Sequence, residues 1–219
     1  MAPPYGTVTE QHDRILIVAS GPSVQGVDLT AVPPRVHVIA VNGAIEWCPV
    51  VDSFFSLDPS PYVRGLVRTP RPGVRYYMAV PESYGDHDAP CTSHRDAPDR
   101  HVTYLRRLVG GGYLNVRNAL SEDPGAIHTG NSGWGSLGLA YHMRPRKVAL
   151  LGVDANGAGH AYVDIPQRPG ELDHLPLLFA SACGQLEARG IHVRNGSPES
   201  NVTCWPRVDP SAALRCVVR

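Results

Sequence analysis

Five short segments pair small hydrogen-bonding residues with glycine or proline. They are Ser20-Gly21-Pro22-Ser23, Asn42-Gly43, Asp58-Pro59-Ser60, Asp154-Ala155-Asn156-Gly157 and Asn195-Gly196-Ser197. Each alone is an ordinary turn, but each also closes an apolar run. If those runs are strands of an open parallel sheet, the five turns stand where such sheets bind ligands, beyond the carboxyl ends of the strands. Together they predict one polar ligand cleft. The first turn is the sharpest: a glycine lets backbone N–H groups approach a phosphate, and a helix start adds the positive end of its dipole. Its pattern is neither G-x-G-x-x-G nor G-x-x-x-x-G-K-[ST], which disfavours a common dinucleotide site and a Walker-type ATPase. Thr129-Gly130-Asn131-Ser132-Gly133 opens a further helix with capping groups, suited to an anion or a sugar as well as to a plain cap.

The runs that position these residues are short and continuous. Arg14 to Ser20, Val36 to Asn42, Asp52 to Leu57, Val74 to Ala79, Lys147 to Val153 and Ile191 to Asn195 read as strands, the first buried on both faces. Val24 to Val32 has room only for a short helix with Asp28 as cap, whereas Ser132 to Tyr141 and Leu172 to Arg189 have helical spacing, the latter closed by Gly190. Strands alternating with helices predict an α/β fold: a doubly wound, Rossmann-like parallel sheet in a single domain. Residues 1–13 read as a loose lead-in and 14–219 as the nucleotide-binding domain, with polar loops or lids at about 81–98 and 155–171.

Composition bounds the remainder. A chain of 219 residues, 42% hydrophobic, can bury a sizeable core. Formal net charge is zero, so nucleic acid is a possible partner that charge does not indicate. Lys147 is the single lysine, and arginine supplies the other positive charge. Cys48, Cys91, Cys183, Cys204 and Cys216 are odd in number and widely spaced, which reads as thiols in a reducing cytoplasm. Neither a signal peptide nor a membrane-spanning apolar run is evident, consistent with a cytoplasmic protein.

The segment Ile15 to Val24, followed by Val38 to Asn42, resembles the opening of the bacterial sialyltransferases of glycosyltransferase family 42. Thr129 to Gly133 resembles their Thr-Ser-Gly helix start, and Leu150 to Asp154 their strand ending Gly-Ile-Asp. Tyr162 matches a tyrosine of the lid that follows, and Asn195 to Ser200 their closing segment. The ordered set covers roughly 14–205. Asp58 stands where that family usually has asparagine, and one lid tyrosine stands in place of two. The resemblance implies a CMP-sugar donor, with neither a cofactor nor an essential metal. Gly21, Pro22 and Ser23 would meet phosphate or ribose, with Ser20, Asn42, Asp58, Asp154 and Asn195 along the same edge. Thr129, Ser132 and Gly133 would hold phosphate or base, and Tyr162 the leaving phosphate. The same turns resemble the archaeal 6-hydroxymethylpterin pyrophosphokinase-like family, an Mg-ATP alternative in which Asp58 and Asp154 would have to carry the metal. A non-catalytic nucleotide-binding protein is a further alternative. Small phage proteins of this general type put a modified nucleobase among the acceptor classes.

An inverting transferase needs a base for the acceptor hydroxyl, and histidine suits that task by its pKa. Of ten histidines, His160 and His174 lie in and after the lid, as the base does in the resembled family. His174 is the first expectation and His160 the second. Gly21→Val is expected to block a phosphate without unfolding the domain.

Overall fold

The computed structural model describes residues 5–58, 60–81, 99–110, 116–161, 170 and 172–218. Its strands are β1 (Arg14–Val18), β2 (His37–Val41), β3 (Ser53–Ser56), β4 (Arg75–Val80), β5 (Val102–Leu108), β6 (Ala126–His128), β7 (Lys147–Leu151) and β8 (His192–Asn195). They form one eight-stranded sheet in the order β6-β5-β4-β3-β2-β1-β7-β8, and every adjacent pair is parallel.

Alternation along the central strands feeds two cores. Ile15, Ile17, Ile39, Val41 and Phe55 face one; Leu16, Val18, Val38, Ala40 and Phe54 face the other. Burial on both faces explains why these strands read as unbroken apolar runs. The second face is covered by α1 (Ala44–Trp47) and α2 (Pro61–Arg68). The first face carries α3 (Ser132–His142), α4 (Leu175–Ala180) and α5 (Cys183–Ala188), and α6 (Pro210–Val218) returns to the second. Every residue of α3 is buried. Its small residues let it sit hard against the sheet: a Cβ at Gly135 would lie 2.7 Å from the Phe55 ring. Among the described residues no helix is long and apolar enough to cross a membrane.

All the predicted strands are present with slightly different ends. Strands β5 and β6 and helices α1, α2 and α6 were not anticipated. The helix expected over 172–189 is two helices, broken where Ser181 turns back to bond the Leu178 carbonyl (2.6 Å) and accepts from the Ala119 N–H (2.8 Å); such back-bonding competes with the helix ladder. The segment 24–32 forms 3-10 turns, with Asp28 accepting from the Thr30 N–H as the expected cap. Residues 5–13, expected to be loose, are tied down. Gly6, Val8 and His12 donate to the carbonyls of Tyr104, Pro124 and Met143 (2.8, 3.0 and 3.0 Å), and Val8 is buried. Residues 82–98 and 162–169, within the predicted loops, lie outside the described residues.

The order reverses at β1, which has β2 on one side and β7 on the other. In a doubly wound sheet this reversal opens a crevice at the carboxyl ends of the strands.

Candidate functional site

A cavity of about 440 Å³ occupies that crevice, within the usual range of about 300–1,000 Å³ for ligand sites. Its wall brings together Ser20, Gly21, Asn42, Asp58, Ser132, Gly133, Asp154 and His160. Four strand ends and one helix start thus meet; the fifth turn of the pattern, Asn195-Gly196-Ser197, is not in this wall. Pro22 and Ser23 are not part of this wall. Thr129 and Asn195 are buried beneath it, at 1% and 0% exposure.

The floor of the crevice is a backbone-to-backbone contact. The Gly21 N–H donates to the Gly152 carbonyl at 2.8 Å. A Cβ on Gly21 would lie 2.5 Å from that oxygen and 2.6 Å from Asp154 Oδ2. Gly152 has φ 69°, and its own Cβ would lie 2.2 Å from the Ala19 carbonyl. Both glycines are therefore required by the protein's own packing. This changes the expectation for Gly21→Val, because the valine would collide with the β7 turn before it met any ligand.

Asp154 reinforces the contact. Its Oδ2 accepts from the Ser23 N–H at 2.9 Å and its Oδ1 from the Ser23 hydroxyl at 2.5 Å. Ser23 Oγ also lies 2.7 Å from Ser197 Oγ, so the turns after β1, β7 and β8 form one network. Asp58 is engaged in a similar way: its oxygens accept from the Ser60 N–H (2.8 Å) and hydroxyl (2.9 Å). Ser60 in turn caps α2 by accepting from the Val63 N–H.

Other groups face the cavity with less to hold them. Asn42 ends β2 in the left-handed region, φ 51°, which asparagine tolerates better than most side chains. Its N–H donates to the Phe55 carbonyl, and its Oδ1 is buried without a hydrogen-bond partner. Ser132 Oγ accepts from the Leu57 N–H at 3.1 Å, fixing the start of α3 to the end of β3. The first N–H groups of a helix have no partner inside it. Asn131 Oδ1 accepts that of Trp134 (2.8 Å), and Asn131, Ser132 and Gly133 all reach the cavity.

Arg107 is the one arginine or lysine in the described wall. Sequence reasoning missed it because it missed β5. Its Nε donates to Thr129 Oγ1 at 2.7 Å, and its Nη1 to the Leu57 carbonyl at 3.3 Å. Thr129 thus acts through Arg107, holding the guanidinium at the cleft. The alternation in Val102-Thr103-Tyr104-Leu105 was the available signal for the strand. Asn195 is structural: its Nδ2 donates to the Val202 carbonyl and its Oδ1 accepts from the Ser197 N–H.

The two candidate bases are placed differently. His160 lies in the wall, and the next residue is pinned to the first turn by the Ala161 N–H donating to the Ser20 carbonyl at 2.6 Å. Gln25 adds a bond to the Ala161 carbonyl at 2.5 Å. His174 precedes α4 and is not part of the described wall, although Leu172 and Leu175 on either side of it are. Its Nε2 is buried without a hydrogen-bond partner. Tyr162 lies outside the described residues.

A guanidinium, an open helix start, a free amide oxygen and an imidazole around a crevice of nucleotide size can bind an anionic, multiply hydrogen-bonding ligand beside a proton acceptor. No protein-family profile matches the chain, and no curated protein matches its sequence. Solved structures do resemble it. The sialyltransferase CstII of Campylobacter jejuni with the substrate analogue CMP-3FNeuAc superposes with TM-score 0.51 at 12% identity, over 90% of this chain and 86% of that one. CST-II with a trisaccharide acceptor and CMP gives 0.53 at 12%, over 90% and 86%. CstII with cytidine-5'-monophosphate gives 0.52 at 15%, over 91% and 86%. At these identities the likeness is one of fold: the chain shares the architecture of the CstII sialyltransferases along nearly its whole length.

Proposed function

We propose that the chain is a glycosyltransferase that binds a nucleotide-sugar donor, of CMP-sugar type, in the crevice at the β1 switch point. The observation that carries this reading is the convergence of Arg107, Asn42 and the start of α3 on one cavity at that point. The fold neighbours hold CMP and a CMP-sugar analogue, which is why the cytidine nucleotide is placed first. Arg107 would neutralise donor phosphate, and Asn42 Oδ1 would accept from a base, ribose or sugar. His160, in the wall, would take the proton from the acceptor hydroxyl while the nucleotide departs. The transfer is inverting, and it needs no metal at Asp58 or Asp154. Both carboxylates already accept two hydrogen bonds from serine, which also weakens the pyrophosphokinase alternative. His174 is the second reading for the base, favoured by its buried, unpartnered Nε2.

The test is a thermal-shift screen with CMP, UMP, GMP, AMP and their sugar conjugates, since a ligand that binds the folded state raises its midpoint by mass action. A hit is followed by a product assay with and without EDTA. The expected result is stabilisation by a cytidine nucleotide, with EDTA-insensitive transfer that His160→Ala slows by about 10²–10⁴-fold at unchanged nucleotide affinity. That loss in His174→Ala alone would move the base to α4. Activity abolished by EDTA and restored by Mg²⁺ would overturn the transferase reading.

A further inference from the structure

At the opposite end of the sheet from the cleft, three potential metal ligands meet. Glu10 and His12 come from the tied-down N-terminal segment, and His37 is the first residue of β2. One ligand atom from each lies within 4.8 Å of the other two. The imidazoles of His12 and His37 are stacked, centroids 3.8 Å apart. His37 is buried and its Nε2 lies 2.9 Å from Ser53 Oγ. His12 differs: its Nε2 is buried without a hydrogen-bond partner, and the Glu10 oxygen nearest to it is 3.8 Å away.

That unpartnered nitrogen points to a missing ligand, and its neighbours say which kind. Glu10 Oε1 accepts from the Tyr77 hydroxyl at 2.7 Å, so the carboxylate is held in orientation, as outer partners hold metal-binding carboxylates. The Asp52 carboxylate accepts from the N–H of Val38, the residue after His37, at 2.8 Å, adding negative charge beside the cluster. The opposing feature is Arg75, which pairs with Glu10. Its side chain is 60% exposed and that of Glu10 13%, so a cation at the cluster must displace the guanidinium from Glu10, and the exposed arginine is free to swing into solvent.

We infer that Glu10, His12 and His37 form a site for a divalent transition-metal ion of the Zn²⁺ or Co²⁺ class, which staples the N-terminal segment to the base of β2. Two imidazoles and one carboxylate suit these ions; Mg²⁺ and Ca²⁺ take oxygen ligands. Metal–nitrogen bonds of about 2.0–2.1 Å require the three donors to draw closer than they now lie. The movement falls on His12, which is carried by the segment rather than by the sheet and must leave the ring stack. Three protein ligands leave a fourth position for water. The site lies at the amino ends of the strands, away from the crevice, so its role is structural.

The test titrates chelator-treated full-length protein with Zn²⁺ and separately with Co²⁺, reading stoichiometry by calorimetry, the visible Co²⁺ spectrum and the thermal midpoint. One equivalent should bind, a ligand-field band should appear with Co²⁺, and the midpoint should rise. His12→Ala and Glu10→Gln should each lose the band and the shift; Glu10→Gln keeps the shape of the side chain, so it serves if His12→Ala folds poorly. Ser53→Ala, which frees the His37 ring, should weaken affinity about 10–100-fold. His192→Ala, on the exposed edge of β8, should bind as wild type. Absence of stoichiometric binding, or binding that survives both His12→Ala and Glu10→Gln, would overturn the proposal.

Discussion

Replacing Gly21 with alanine should damage the fold before it damages the ligand site. The added Cβ would lie 2.5 Å from the Gly152 carbonyl and 2.6 Å from Asp154 Oδ2. A comfortable carbon contact is about 3.5–4.0 Å, so the β1 and β7 turns must separate by roughly 1 Å. The obstacle is backbone on one side and a carboxylate held by two hydrogen bonds on the other, neither able to rotate aside. Overpacking of this kind costs about 1–3 kcal/mol. For a domain of this size each kcal/mol moves the thermal midpoint by about 2–4 °C, which gives a fall of roughly 2–12 °C. Gly65 provides the paired control. It lies in α2 with nothing within 4 Å of an added methyl, so Gly65→Ala should instead stabilise, by about 0.5–1 kcal/mol. Differential scanning calorimetry without ligand, followed by nucleotide titration, separates the two effects. If Gly21→Ala melts within about 1 °C of wild type yet loses nucleotide binding, its Cβ projects into ligand space and the packing argument is wrong.

Asp154→Asn should destabilise by about 1.5–3 kcal/mol, because an amide cannot accept from both the Ser23 N–H and hydroxyl as the carboxylate does; an unchanged urea midpoint would contradict that role. Acid should weaken the domain through His128 and His142, whose pKa values burial pushes below the ordinary histidine value. The unfolded chain takes up these protons near pH 6.5 while the folded chain still resists them, so stability is fully present above that pH and falls as pH drops below it. His142, whose Nε2 lies 3.0 Å from the Ala126 carbonyl, is the cleaner probe: His142→Gln should flatten the dependence of melting temperature on pH between about 7 and 5, and an unaltered slope would exclude it as a source.

The central strands were legible because burial on both faces leaves little choice but aliphatic residues, and the turns after β1, β2, β3 and β7 because polar turn residues stand at their ends. Strand β5 was not, since Arg106 and Arg107 interrupt its apolar pattern, and with it went the cation of the cleft. The first turn has the composition of a ligand cradle, but the sequence could not reveal that Ser23 and Asp154 spend their hydrogen bonds on each other across 131 positions. The break at Ser181 was hidden for the same reason: its hydroxyl serves Ala119, a partner distant in the chain. Asn195 ends a strand as the others do, yet its side chain is consumed by a local loop. Periodicity reports which face is buried; it is blind to who bonds whom.

The placement of β1 has a consequence for biosynthesis. Of the eight described strands it is made first, yet it sits in the interior of the finished sheet, with β7 as its second neighbour. While β2 to β6 are translated, the β7-side edge of Arg14–Val18 has no strand to pair with, and its row of backbone donors and acceptors stays open. Closure waits for a segment more than a hundred residues downstream, a long-range pairing of the kind that slows folding and exposes intermediates to aggregation. The same contact that seals the floor of the crevice is therefore made late, and until β7 emerges the nascent chain carries six of the eight strands with an unguarded edge at β1.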